Sequence, residues 1–211
     1  LGAIRYKVTP LNSDATISFE PYLDASIKNK DSNWDDQFWD VLEVTQNNQQ
    51  SFIQARTMKT HFYTCTFMES RLFVNNSEII TGCNNEKTSN YTSCTYEQEI
   101  KQNQTFTIHK FGGYVVDRKH DKNELVTVAK DILDKAVSFG FEALLETQIQ
   151  SWAKIWNMSD ITISGDVKAQ QGIRFNIFQL NQTYLGTDAS LNIGPKGFTG
   201  EKYGGSTYWD T

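Results

Sequence analysis

The sequence lacks the features of membrane proteins and of nucleic-acid-binding proteins. No apolar run reaches the roughly 20 residues that a bilayer-spanning helix needs, and no secretory leader is visible. Lysine and arginine are scattered and the formal net charge is −5, so no basic stripe favours a nucleic acid or an anionic membrane surface. We therefore expect no nucleic-acid partner and no membrane partner.

Cysteine and histidine are also scarce, with three residues of each. Cys65, Cys83 and Cys94 do not have the spacing of a zinc site and the histidines stand apart, so we expect no metal and no other cofactor. Three cysteines cannot all pair within one chain, and the simplest interpretation is a reduced, cytoplasmic protein. The alternative is a secreted protein in which Cys83 and Cys94 bridge a hairpin.

The composition is that of a folded protein, with 38% hydrophobic and 13% aromatic residues. A length of 211 residues allows one large domain or two small ones. Because the sequence begins at Leu1 and stops at Thr211 without a closing turn or charged tail, we expect it to be an internal piece of a longer protein.

Short alternating segments dominate residues 1–116. Ile17 and Phe19 alternate with polar neighbours, as do Phe106 and Ile108, and residues 51–68 read as one or two strands. Turn signals separate the segments at residues 29–31, 75–76, 82–85 and 112–113. This pattern predicts an antiparallel sheet, and a β-sandwich is the expected architecture.

The apolar period becomes helical near residue 122. One amphipathic face runs from Leu125 to Val137, Gly140 interrupts it, and a second face continues from residue 144 to residue 156, so we expect two helices packed on a core. A third helix is predicted over residues 167–184, capped by residues 164–166 and buried on more than one side. Four polar residues of that helix predict either a hydrogen-bonding layer under a site, which we favour, or an exposed stripe; they are Arg174, Asn176, Gln179 and Gln182.

The last 17 residues, PKGFTGEKYGGSTYWDT, form a glycine-rich segment that ends near Trp209 and Asp210. Glycine lets the backbone pass close to a ligand. An indole face packs on the apolar face of a sugar, and a carboxylate accepts hydrogen bonds from hydroxyl groups. The segment therefore predicts a sugar-binding loop.

Two runs carry a family resemblance: QQGIRFNIFQL at residues 170–180 and GPKGFTGEKYGGSTYWDT at residues 194–211. Both resemble the inverting α-glucoside phosphorylases of glycoside hydrolase family 65. The loop KYGGSTYWD is similar to the form found in the maltose-cleaving members, whereas the kojibiose and trehalose enzymes carry a histidine-containing version. The resemblance is specific from about Leu125 onward and general before it.

The resemblance implies a multidomain β-plus-α protein. Residues 1–120 correspond to the C-terminal half of a β-sandwich domain, and residues 121–164 to a helical linker. Residues 165–211 correspond to the first helix and loop of an (α/α)₆ catalytic barrel. The resemblance also implies a homodimer for the full-length protein.

The resemblance also implies the reaction and one pair of site residues. The expected enzyme cleaves maltose, or a related α-glucoside, with inorganic phosphate as co-substrate and yields β-glucose 1-phosphate and glucose. In the family the Trp-Asp pair contacts the glucosyl unit, which corresponds to Trp209 and Asp210. The family's general acid and phosphate-binding residues lie in later segments, so no catalytic residue is assigned here, and Glu201 is interpreted as an ordinary loop carboxylate.

Two other functions remain open from the sequence. One is a family enzyme with a different substrate or reaction, such as a phosphorylase for trehalose, kojibiose or nigerose, or a hydrolase. The other is a non-catalytic module for carbohydrate binding or assembly, because this sequence alone lacks the acid. The fragment by itself is expected to be inactive.

Overall fold

The computed structural model describes residues 1–28, 37–47, 49–183, 186 and 188. The chain forms two compact units. The first contains Leu1–Ile27 and Phe38–Leu145, and the second contains Lys28–Gln37 and Glu146–Thr211. The first unit is mainly β-structure, and the described part of the second is mainly helical. The expected combination of a β-sandwich with the start of a helical domain is confirmed.

The larger sheet of the first unit has six strands. They are β1 (Gly2–Val8), β4 (Trp39–Asn47), β5 (Gln50–Thr57), β6 (Tyr63–Val74), β7 (Ser77–Ile79) and β10 (Phe106–Val116). All pairs are antiparallel, in the order β1-β10-β6-β5-β4, and β7 pairs with the last residues of β6. Residues 51–68, expected to be one or two strands, belong to two.

The smaller sheet has four strands. They are β2 (Ala15–Phe19), β3 (Tyr22–Asp24), β8 (Asn84–Lys87) and β9 (Tyr91–Ile100), and β9 pairs antiparallel with each of the other three. Burial along β2 alternates as the sequence predicts, with Phe19 buried and its neighbour Ser18 exposed.

A hydrophobic core lies between the two sheets. Tyr96 and Phe106 are fully buried there, and the rings of Phe19 and Phe106 stack with centroids 4.6 Å apart. The buried members of this core are Phe19, Leu72, Cys94, Tyr96, Ile100, Phe106 and Ile108. Because these residues come from strands of both sheets, the core holds the sandwich together.

A second core lies on the opposite face of the larger sheet, under helix α1 (Leu125–Phe139). Buried residues recur on α1 at the spacing of one helical face; they are Leu125, Ala129, Leu133 and Ala136. They pack against Phe52, Cys65, Phe67, Phe111 and Val115 of the sheet. The predicted packing of this helix on a core is confirmed. Burial also raises the pKa of the Cys65 thiol to about 12.

Two of the expected turns need correction. Gly112 and Gly113 lie inside β10, where a Cβ on Gly112 would be 2.9 Å from the backbone oxygen of Phe67. This glycine therefore permits a close approach of neighbouring strands instead of a turn. Asn84 and Asn85 begin strand β8.

By contrast, Asn75 and Asn76 do form the turn between β6 and β7, with φ values of 47° and 69°. Residues 29–31 lie outside the described residues.

The expectation of reduced cysteines is wrong for two of the three. Cys83 and Cys94 form a disulfide, and their Cα atoms are 5.5 Å apart. Cys83 lies in the segment before β8 and Cys94 lies in β9, so the bond ties that segment to the sheet. The pairing corresponds to the alternative interpretation from sequence, a bridged hairpin. Cys65 remains a free, buried thiol.

Two further helices follow α1. Helix α2 spans Phe141–Ser159, and α3 spans Val167–Thr183. The expectation that α3 is buried on more than one side is wrong for the described residues: Ile177 is buried, but Phe175 and Leu180 are 58% and 73% exposed. Of the described helices, none combines the length and apolar character needed to cross a membrane.

Candidate functional site

The two predicted sugar contacts, Trp209 and Asp210, lie outside the described residues, as does Glu201. The structure does describe the helix that precedes their loop. Helix α3 ends at Thr183, and its sequence run 170–180 is one of the two that carry the family resemblance. Helix α3 is therefore the described helix nearest in sequence to the predicted site.

Asp166 caps the start of α3, as its position in the sequence predicts. Its Oδ1 accepts hydrogen bonds from the backbone amides of Lys168 at 2.9 Å and Ala169 at 3.0 Å. These amides have no partner within the helix, and a negative charge at a helix N-terminus is also favoured by the helix dipole. The cap fixes the residue at which α3 begins.

The link between α2 and α3 is held onto α3 by side chains. The side chain of Gln170 accepts a hydrogen bond from the Ile163 amide at 2.7 Å and donates one to the Ile161 carbonyl at 2.8 Å. Arg174 donates to both oxygens of Asp160, from Nε at 2.9 Å and from Nη2 at 2.6 Å. The Arg174 guanidinium lowers the pKa of the Asp160 carboxyl, mainly through this hydrogen bonding.

The predicted polar layer on α3 is only partly a hydrogen-bonding layer. Arg174 bonds to the link, and Gln182 donates to Gln179 on the same helix. Asn176 is exposed and Arg174 is also exposed. In the described structure these residues order the helix and its link, and no ligand contact can be assigned to them.

Aromatic side chains join α2 to α3 within the second unit. Trp152 stacks on Phe178 with ring centroids 5.0 Å apart, and Trp156 lies 6.0 Å from Trp152. Both tryptophans are half-buried. The expectation that these tryptophans pack structurally, instead of forming a binding site, agrees with this arrangement.

The first unit contains a large concave surface, which we call the sheet cleft. It has a volume of ≈ 1300 Å³ and is bounded by β5, β6, β7 and β10 of the larger sheet, by residues 81–85 and by the junction of α1 and α2 at residues 137–143. Gly140 at this junction has a φ of 83°, which a glycine adopts without strain. The Cys83–Cys94 disulfide anchors the 81–85 side of the cleft.

A connected row of polar side chains lines one part of the sheet cleft. Lys130 contacts Asp134 at 2.5 Å, and Nε2 of Gln50 donates to Asp134 at 2.8 Å and to Glu69 at 2.7 Å. The row continues from Glu69 to Arg71, whose Nη2 lies 2.9 Å from the Glu69 carboxylate. Arg71 Nη1 then reaches Glu78 at 3.4 Å. Hydrogen bonding by Lys130 and Gln50 lowers the pKa of Asp134.

Glu69 is the buried member of this row. Its side chain is 5% exposed, and it has both an arginine and a glutamine as partners. A carboxylate taken out of water is costly unless such partners compensate it. The same arginine is 39% exposed and Glu78 is 48% exposed, so the row passes from the interior to the surface.

An aromatic row lines another part of the sheet cleft. The His109 ring lies between those of Phe73 and Phe141, with centroid distances of 4.5 Å and 5.0 Å. Arg5 lies 4.4 Å from the Phe141 ring centroid and pairs with Glu142. Burial lowers the pKa of His109, and the charge of Arg5 lowers it further.

The sheet cleft has no local sequence signal, which explains why it was not predicted. Gln50, Glu69 and His109 come from three different strands, and Asp134 comes from a helix. In the described residues, no group of three or more histidine, cysteine, aspartate or glutamate side chains is arranged to hold a metal ion.

Comparison with known proteins assigns both parts of the chain to one family. Residues 1–155 match the model of the N-terminal domain of glycosyl hydrolase family 65, and residues 174–211 match the model of its central catalytic domain. The maltose phosphorylase of Bacillus subtilis strain 168 is 39% identical over the whole chain. The α,α-trehalose phosphorylase of Thermoanaerobacter brockii is 28% identical, and the kojibiose phosphorylase of Caldanaerobacter subterraneus is 31% identical, also over the whole chain.

The chain spans 27% of the length of the first of these relatives and 28% of each of the other two. A solved structure described as a putative kojibiose phosphorylase from the human microbiome matches 99% of this chain with a TM-score of 0.85, over 26% of its own length. Its sequence is 24% identical, so this match shows the fold.

Proposed function

The chain belongs to glycosyl hydrolase family 65, and we propose that it forms part of an inverting maltose phosphorylase that converts maltose and inorganic phosphate to β-glucose 1-phosphate and glucose. The observation that carries the proposal is the 39% identity to a maltose phosphorylase over all 211 residues. The loop KYGGSTYWD, which is similar to the maltose-type form, supports the same substrate.

In this proposal Trp209 and Asp210 hold the glucosyl unit of the substrate. The indole ring of Trp209 packs on the apolar face of the pyranose, and the carboxylate of Asp210 accepts hydrogen bonds from its hydroxyl groups. Holding the ring in one orientation lets phosphate attack the anomeric carbon in line with the departing oxygen. The contribution of these two residues is therefore positioning.

The remaining catalytic groups are proposed to lie outside this sequence. An inverting hydrolase needs an acid for the departing oxygen and a base that activates water. Phosphate already carries negative charge and attacks directly, so a phosphorylase needs one carboxylic acid and an anion site. By the family resemblance both are in later segments, and Glu201 is not proposed as the acid.

The described structure supports a positioning role for α3. The Asp166 cap fixes its first turn, and the Asp160–Arg174 pair holds the preceding link against it. A helix held in this way provides a defined starting point for the loop that follows it. The domain boundaries at residues 120 and 164, which separate the sandwich, the linker and the barrel, are also proposed from the family resemblance.

The homodimer is proposed from the resemblance alone, whereas the location is proposed from the small number of cysteines. We propose a homodimer and a cytoplasmic location for the complete protein. The Cys83–Cys94 disulfide is an observation against that location, because structural disulfides are most common in oxidising compartments.

A second candidate function is the cleavage of another α-glucobiose. Relatives named as trehalose, kojibiose and nigerose phosphorylases match parts or all of the chain at 25–34% identity. A kojibiose hydrolase of Flavobacterium johnsoniae is 30% identical over 117 residues. Hydrolysis is therefore the second reaction that an assay must separate from phosphorolysis.

The proposal is tested by incubating the complete protein with maltose, trehalose, kojibiose and nigerose, each with and without phosphate. We expect β-glucose 1-phosphate from maltose, at the highest kcat/KM of the four sugars, and only when phosphate is present. Equal release of glucose without phosphate would identify a hydrolase. Faster phosphorolysis of another sugar would reject maltose as the substrate.

A further inference from the structure

The sheet cleft has no role in the proposed reaction, yet its size and its mixed polar and aromatic lining suit a large ligand. Its ≈ 1300 Å³ exceeds the range of about 300–1,000 Å³ that is typical of small-molecule sites. All of its lining residues belong to the first unit. It therefore has room for a ligand with more than one ring.

Polar and aromatic side chains meet directly in the cleft. In the register of the larger sheet, His109 pairs with Arg71 on one side and with Arg5 on the other. Arg71 belongs to the polar row, and His109 lies within the aromatic row. A ligand seated at this point would touch hydrogen-bonding groups and ring faces together, as an amphipathic ligand requires.

The charges of the cleft argue against an anionic ligand. The polar row contains two cationic side chains, Lys130 and Arg71, and three anionic ones, Asp134, Glu69 and Glu78. Each of these five side chains is paired with another member of the row, and Glu142 is paired with Arg5. Such a surface does not offer the uncompensated positive charge that a phosphate seeks.

The cleft is also held in place before any ligand arrives. Gln50 bridges Glu69 and Asp134, so side chains from two strands and a helix fix one another. The Cys83–Cys94 disulfide anchors the 81–85 side. Preorganised side chains lose little freedom on binding, which favours affinity for a weakly interacting ligand.

We propose that the sheet cleft binds a neutral saccharide of two or more pyranose rings. The hydroxyl groups of the saccharide would meet the polar row near Arg71 and Glu78, and an apolar ring face would pack near Phe73 and Phe141. The ligand class follows from the cleft itself and does not depend on phosphorolysis. The inference gives the sandwich a binding role in addition to the proposed enzyme activity.

The test is hydrogen–deuterium exchange of the complete protein with and without millimolar maltotriose. We expect slower exchange in peptides that cover residues 69–85 and 134–143. The variant Ser138→Trp places an indole in the cleft, and its matched control is Lys135→Trp, an exposed position of the same helix that does not line the cleft. The protection should be lost in Ser138→Trp and kept in Lys135→Trp.

One further variant and two stated outcomes keep the test decisive. If Ser138→Trp unfolds, the double substitution of the exposed residues Glu78→Ala and Asn85→Ala must abolish the protection instead. Absence of protection in the unmodified protein, or equal protection in the cleft variants, would overturn the inference. A protein that lacks phosphorolysis but shows the cleft protection would reject the proposed function and leave this inference standing.

Discussion

Arg174 and Asp160 form a two-pronged ion pair across the link that joins α2 to α3, with nitrogen–oxygen distances of 2.9 Å and 2.6 Å. The two residues are 14 positions apart in the sequence, so their pairing closes the link onto the first half of α3. Because the guanidinium matches the carboxylate with two parallel hydrogen bonds, lysine cannot replace it equivalently.

The first prediction concerns this pair. Because its pKa is lowered in the folded protein, Asp160 contributes stability above its ordinary pKa of 3.8, and that contribution is lost as the pH falls through the lower folded value. Arg174→Gln should remove this contribution, and Arg174→Lys should keep only part of it. Hydrogen exchange of residues 160–166 at neutral pH is the measurement. Unchanged exchange in Arg174→Gln would show that the pair does not hold the link.

The buried carboxylate of the sheet cleft gives the second prediction. Glu69→Gln leaves the Arg71 guanidinium without its buried partner, which should lower the free energy of unfolding by about 1–3 kcal/mol. Glu78→Gln is the matched control, because Glu78 contacts the same arginine from an exposed position and should cost at most about 1 kcal/mol. Denaturant unfolding of both variants checks the difference, and equal losses would contradict it.

The disulfide gives the third prediction. Cys83 and Cys94 are 11 residues apart, and closing a loop of this length stabilises a fold by about 2–3 kcal/mol. The double substitution Cys83→Ser and Cys94→Ser should therefore lower the thermal midpoint. Thiol labelling of the denatured, unreduced protein should find Cys65 as the only reactive thiol of this segment. Labelling of all three cysteines would contradict the disulfide and would support the reduced state that the sequence predicts.

A fourth prediction follows from His109. Burial lowers its pKa below 6.5, so the unfolded chain binds more protons than the folded chain between the lower value and 6.5. The stability associated with neutral His109 is complete above that range and is lost as the pH falls through it. His109→Gln should reduce the fall in thermal midpoint between about pH 7.5 and pH 5.5.

The surroundings of His109 determine how the fourth prediction is controlled. Arg5 and Lys7 lower its pKa, whereas Glu142 and Glu78 raise it. His120→Gln is the control, because His120 is exposed. An unchanged pH dependence in His109→Gln would show that His109 does not contribute to acid sensitivity.

Elements with a strong local pattern were predictable from the sequence. The helical period of the apolar residues predicts the buried face of α1 that begins at Leu125. The side chain of Asp166 and its position before the helix predict the cap of α3. The sequence wrongly predicts a turn at Gly112, because a glycine in a strand and a glycine in a turn look alike until the neighbouring strand is known. The sequence predicts too much burial for α3, because apolar residues on several helix faces do not show which faces have partners.

The sheet cleft was not predictable because its residues meet only through strand pairing and the packing of α1 on the sheet. Nothing in the sequence around Glu69 shows that Gln50 and Asp134 reach it. The predicted sugar contacts rest on the loop sequence and its family resemblance, and they stay predictions because Trp209 and Asp210 lie outside the described residues.

The most direct test is the kcat/KM of the complete protein for maltose phosphorolysis with Asp210→Ala, compared with Glu201→Ala from the same loop. If Asp210 holds the glucosyl unit, its replacement should lower kcat/KM by more than about tenfold, a loss of transition-state stabilisation above about 1.4 kcal/mol, while Glu201→Ala stays within that factor. An Asp210→Ala enzyme that stays within tenfold of the unmodified protein would contradict the account.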